Sequence, residues 1–206
     1  MLTKRPASLI AAAVAIAGAL TLAGCTGTQP PVSSPTVSTS ETPTPTPTAF
    51  EPPADEAEAI AAAEATITRL LTIQAEVDQA GGTDTAAYDA VATGKALQLY
   101  VANSTRIAEG PLLNEDGESI DGQSTVEGAI TFEPLSAYGQ EWQDVPNGLV
   151  IVPGCLDTTD LKITTADGKP AMQNPNPRNQ VEYHVGYDVD RKTWLVNDRI
   201  DLGETC

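Results

Sequence analysis

The chain has 206 residues, 28 acidic against 11 basic, with one His, three Cys and nine aromatic residues. A net charge of −17 without a basic cluster excludes binding to nucleic acid through its phosphates and electrostatic docking on anionic lipid. A single His excludes a multi-His metal centre, and the length suffices for one domain with a real core.

The chain opens with a short basic stretch holding Lys4 and Arg5, followed by the apolar, Ala-rich run Leu9–Leu22. That run is shorter than the roughly 20 residues a membrane-spanning helix needs, and it has the length of a secretory signal core. It closes on Leu22-Ala23-Gly24-Cys25, which resembles the lipobox of bacterial lipoprotein signals. The resemblance implies that residues 1–24 are removed and that Cys25 becomes the acylated first residue, carrying a diacylglyceryl thioether and palmitate-type chains. Two acyl chains suffice for stable anchoring, at roughly 0.8 kcal/mol per buried methylene. Without Lys4 and Arg5 the remaining chain carries −19.

Residues 25–54 are dominated by Thr, Pro, Ser and Val, with Thr42-Pro43-Thr44-Pro45-Thr46-Pro47-Thr48 at the centre. Regular Pro removes backbone donors and fixes φ, and few apolar residues are present to offset the entropy of ordering. This composition predicts a disordered, semi-extended stalk reaching on the order of 85 Å at full stretch. Its Ser/Thr-Pro tracts are also candidates for O-glycosylation.

Residues 55–206 are expected to form one domain. Asp55 is a good helix N-cap, Glu56 and Glu58 complement the first turn, and Ile60, Ala63, Ile67, Leu70, Leu71, Gln74 and Val77 make one amphipathic stripe. Gly81-Gly82 ends that helix. A second, short helix is predicted around Thr85–Ala92 and a third around Lys95–Glu109, divided near Gly94, the third facing one way through Leu97, Tyr100, Val101, Ile107 and Ala108. After Gly110-Pro111 the period becomes two: Val126, Gly128, Ile130 and Phe132 alternate with polar neighbours, Leu149–Val152 reads as a buried strand, and Leu161 and Ile163 mark another. Val181–Val189 and Thr193–Leu202 form the strongest pair, turned at Asp190-Arg191-Lys192. Helices followed by strands define an α+β class, with helices on one face of an antiparallel sheet.

Alternation places Val181, Tyr183, Val185, Tyr187 and Val189 on the core face, and Glu182, His184, Gly186 and Asp188 on the other. The same rule assigns Trp194, Val196, Asp198, Ile200 and Leu202 to the core face of the partner strand. The lone His is therefore read as a surface residue. Asp198 is either a pocket carboxylate with a raised pKa, able to act as a base, or a paired or solvated group at a strand end. Tyr183, Tyr187, Trp194 and Asp198 are the candidate pocket residues. Cys155 and Cys206 suit a disulfide in an oxidising compartment; a reactive or intermolecular thiol would lack a basic neighbour to lower its pKa. Nucleophile-elbow, Walker, dinucleotide-binding and zinc-protease motifs are absent, and Asn114-Glu115-Asp116-Gly117-Glu118 misses the EF-hand spacing. No metal or cofactor is expected.

The lipobox, the Thr/Pro tract, the helix Glu56–Val77, the segment Tyr88-Asp89-Ala90-Val91-Ala92-Thr93-Gly94, the late strands and the terminal Cys together resemble actinobacterial lipoproteins with a nuclear-transport-factor-2-like (SnoaL-like) domain. That resemblance implies a cone of three helices on a curved antiparallel sheet, held at the extracytoplasmic face of the cell membrane by its lipid. The preferred expectation is a non-catalytic binding or interaction module of the envelope, taking a small apolar ligand or an envelope protein. The alternative implied by catalytic family members is a dehydratase or isomerase using Asp198 as base and Tyr183 or Tyr187 as oxyanion donor.

Overall fold

The computed structural model describes residues 51–206. The signal-like segment, Cys25 and the Thr/Pro tract up to residue 50 lie outside the described residues.

The first helix, α1 (Glu56–Gln79), starts as its sequence dictates: the Asp55 carboxylate accepts from the Glu58 N–H at 2.9 Å, and the Glu58 carboxylate accepts from the Ala54 N–H at 2.8 Å. It buries Ala59, Ala63, Ile67, Leu70, Leu71, Gln74, Val77 and Asp78, and Ile60 sits only half-buried at the margin. The short helix expected next is a 3₁₀ helix over Thr85–Ala90. Helix α2 (Gly94–Glu109) follows and buries Ala96, Tyr100, Ser104 and Ile107. Ser104, a polar residue on the innermost line, is why the stripe read from the sequence was rotated onto Leu97, Val101 and Ala108.

The main sheet is antiparallel and has five strands. The short strands β4 (Thr131–Pro134) and β5 (Tyr138–Trp142) lie in succession along one edge of β6 (Val145–Asp157). Strand β8 (Arg178–Asp188) lies along the other edge, followed by β9 (Thr193–Thr205). Two small ladders complete the fold: β1 (Leu112–Leu113) with β2 (Ser119–Ile120), and β3 (Thr125–Glu127) with β7 (Lys162–Thr164). The alternating run Val126–Phe132 is therefore two strands in different sheets. Gly128 separates them at φ +78, where a Cβ would run into the Asp160 carbonyl oxygen. Both helices pack on one face of the main sheet, over Val150, Val152, Val181, Tyr183, Val185, Tyr187 and Val196, which establishes the α+β architecture with its helical part first.

Cys155 and Cys206 form a disulfide, with their Cα atoms 6.1 Å apart and a sequence separation of 51. The Cys206 N–H also donates to the Arg178 carbonyl at 3.2 Å, so the last residue crosses the end of β8 to reach β6.

One irregularity in β9 decides which side chains face the core. Val196 pairs with Val185 and Asp198 pairs with His184, so Asn197 is an extra residue in the ladder, a β-bulge. Two successive residues then point outward and the alternation restarts one position late. Asp198 lies on the outer face beside His184, within reach of Lys95 at the start of α2, and Arg199 opposite Tyr183 takes the inner position. Ile200 and Leu202, expected in the core, are exposed for the same reason, and Val189 is exposed at the hairpin end.

Candidate functional site

The interior between helices and sheet is filled by aromatic side chains. The Tyr100 and Tyr183 hydroxyls hydrogen-bond to each other at 2.8 Å, both side chains fully buried. Phe132 meets the Tyr183 ring edge-on at 4.9 Å, and the Arg199 guanidinium lies 6.0 Å from the centre of the Tyr100 ring. Burial raises the pKa of both tyrosines, Arg199 opposing it in each case. Sequence reasoning missed Arg199, although the adjacent polar pair Asn197-Asp198 in an alternating strand is the mark of a bulge.

Asp198 and Tyr183 therefore stand on opposite faces of the sheet. The Asp198 carboxylate accepts from Lys95 Nζ at 3.0 Å, in a pair whose Lys side chain is 81% exposed. The base and oxyanion donor required by the Asp198-dependent enzyme reading are not brought together. The Asp198 side chain is 20% exposed, but its partner is almost free in solvent, so Asp198→Ala should change the unfolding free energy by only about 1 kcal/mol in urea titration. His184 lies on the same outer face, where its Nε2 is 2.7 Å from Glu182 Oε1.

Tyr187 and Trp194 do come together. Their rings meet edge-on at 5.6 Å, and Trp194 forms the floor of a half-open cleft of about 180 Å³ between β9 and the first half of α1. Ala62, Ala65 and Val91 supply its apolar walls, with Pro53 beside them, while Arg69 and Glu58 sit at its polar rim. Small residues on α1 create this space: longer side chains at Ala62 and Ala65 would fill it. The Tyr187 hydroxyl is buried and has no hydrogen-bond partner among the described residues. Burial raises its pKa, and Glu51 adds to the effect. Larger grooves exist, one of about 530 Å³ beside Met172 and one of about 460 Å³ along the other flank of α1. The Trp194 cleft differs from both in being lined by an indole together with the Arg69 guanidinium. The helical wall was beyond sequence reasoning, because Ala62 and Ala65 lie off the buried stripe.

Asp78, Ser104 and Tyr88 form a buried polar cluster where α1, the 3₁₀ turn and α2 meet. Ser104 Oγ donates to the Asp78 carboxylate, and the Tyr88 hydroxyl lies 2.8 Å from Ser104 Oγ. Burial raises the Asp78 pKa, and hydrogen bonds from Ser104 and Gln74 act against it. Among the described residues, no group of three or more His, Cys, Asp or Glu is arranged to hold a metal ion. Likewise no helix among them is long and apolar enough to cross a membrane.

No family model matches the chain, and no curated protein does. Among solved structures, the intermembrane space region of the chloroplast protein ARC6 aligns over 70% of this chain and 95% of that one, at 12% identity and a TM-score of 0.44. A likeness that distant leaves the function to the residues themselves.

Proposed function

We propose that this chain is a lipid-anchored, extracytoplasmic binding module of the cell envelope, built on an NTF2-like cone and working through the Trp194 cleft rather than the cone's interior. The location rests on Leu22-Ala23-Gly24-Cys25 after a basic and apolar leader, and on the Thr/Pro tract that follows. The binding role rests on one observation: a cleft of about 180 Å³ with an indole floor and Ala and Val walls, open on one side. Such a cleft desolvates a small apolar group, and the Arg69 and Glu58 rim selects its polar end. A non-catalytic role fits the pairing of Tyr183 with Tyr100 and the outward position of Asp198.

Trp142 and Trp194 are the only tryptophans, so a Trp142→Phe variant reports on Trp194 alone. Its emission should shift saturably with 1-hexanol, and Ala65→Phe, on the exposed side of α1, should weaken that response about tenfold while leaving thermal unfolding unchanged. A Trp194 signal indifferent to 1-hexanol, or to Ala65→Phe, would remove the cleft from consideration. In cells, Cys25→Ser should move the protein from the membrane fraction to the soluble one; retention in the membrane would contradict the anchor.

A further inference from the structure

A second cleft, of about 230 Å³ and different chemistry, lies where the β5–β6 turn approaches the β8–β9 hairpin, with Thr93, Tyr187 and Leu195 among its lining residues. One wall is Trp142, 39% exposed. The others carry the Gln143 and Asn197 amides and the Asp188 and Asp190 carboxylates, and the floor includes Gly186.

Each part is fixed by local structure. Gln143 and Asp144 are both left-handed, at φ +52 and +62, giving a two-residue turn that sets Trp142 directly opposite Val145. Asp188 Oδ1 accepts from the N–H groups of Asp190 and Arg191, at 3.0 and 2.8 Å, and its second oxygen takes no part in that turn. Asn197 is the bulge residue, and its amide lies over Gly186: a Cβ on that glycine would sit 2.6 Å from Asn197 Nδ2. A side chain at position 186 would close the cleft.

We propose that this cleft binds one ring of a neutral or amino sugar within an oligosaccharide. A pyranose presents apolar C–H groups on one face and hydroxyls around its edge. The indole is a flat apolar surface of matching size for the first. The amides, which both donate and accept, and the carboxylates, which accept from hydroxyls in pairs, serve the second. Two carboxylates at the rim repel uronic and phosphorylated sugars. The Trp194 cleft has carboxylates at its rim but no amide side chain among its lining residues. Tyr138, four residues back from Trp142 along β5, is also exposed, at 44%.

The test uses the full chain and isothermal titration with chitotriose, cellotriose, glucosamine trimer and trigalacturonate. At least one of the first three should bind saturably, and trigalacturonate should not. Trp142→Ala should weaken that binding about tenfold or more, and Asn197→Ala should weaken it by about fivefold. Trp142→Phe should retain part of the affinity, and circular dichroism should show each variant folded. In a Trp194→Phe protein, the emission of Trp142 should follow the same isotherm. No heat from any of the first three saccharides, equal binding of trigalacturonate, or binding indifferent to Trp142→Ala would each overturn the proposal. It does not rest on the Trp194 cleft: each cleft has its own indole, so either can fail while the other stands.

Discussion

Cys206→Ser should lower the unfolding free energy by roughly 4 kcal/mol. The bridge closes a loop spanning 51 positions, and in the chain-entropy model a loop of that length restricts the unfolded chain by about this amount. For a domain of this size the loss corresponds to roughly 10 °C in thermal midpoint. Cys206 is exposed at the chain end, so the substitution disturbs little in the native state and the effect arises in the unfolded one. Urea unfolding of the oxidised protein, the reduced protein and the variant distinguishes the two sources. The reduced protein and the variant should coincide, with the larger m-value expected when the unfolded chain is no longer cross-linked. A variant as stable as the oxidised protein would mean that the terminal segment is held by its strand contacts alone.

Ser104→Ala should be nearly as damaging. Removing the hydroxyl takes a donor from the buried Asp78 carboxylate and leaves the buried Tyr88 hydroxyl without its neighbour. A buried carboxylate left with Gln74 as its remaining donor, beside a buried hydroxyl without a partner, accounts for a loss of about 2–3 kcal/mol. The pH dependence identifies the group responsible. Burial holds the Asp78 carboxyl above its ordinary value of 3.8, so the native state binds that proton more tightly than the unfolded chain. Its contribution is therefore most favourable below 3.8, falls as pH rises through the interval up to the native pKa, and is a constant penalty above it. Asp157 and Asp167 run the other way: hydrogen bonds from Thr159 and Thr165 respectively lower their pKa values, so they favour the native state above the unfolded value and lose that contribution in acid. Comparing wild type with Asp78→Asn across pH isolates the first effect. The stability difference, wild type minus variant, should decline as pH rises from about 4 toward neutrality. A difference independent of pH would show that Asp78 does not titrate in this range.

The elements carried by long periodic stretches were legible in the sequence. The α1 stripe, its Asp55 cap and its Gly81-Gly82 end are local, and each follows from spacing and side-chain chemistry within a few residues. So do the buried core of β6 and the β8–β9 hairpin, because side-chain alternation across several residues leaves few other structures. The pairing of Cys155 with Cys206 followed from the cysteine count and from the compartment that the signal-like leader implies. Strand β5 was not legible, since Tyr138-Gly139-Gln140-Glu141-Trp142 has too little apolar character to mark a strand without its partner β6. The inner face of β9 was misread beyond Val196 because alternation contains no provision for an extra residue. That single step exchanged Asp198 for Arg199 at the centre of the interior. The wall of the Trp194 cleft was hidden for a different reason: Ala at positions 62 and 65 contributes by what it leaves open, and a sequence shows only what is present.

The disulfide also determines how the sheet can come apart. An edge strand ordinarily frays from its free end, one ladder bond at a time, and β9 is such a strand at the C-terminus. Bonded through Cys206 to β6, on the far side of β8, it has no free end to release. Peeling must begin instead at the β8–β9 turn, where Asp188 holds the backbone, or wait for α1 to lift from the inner face. Amide hydrogens of β9 near the terminus should thus exchange with those of the sheet's interior rather than ahead of them, which makes the last strand part of the same cooperative unit as the core.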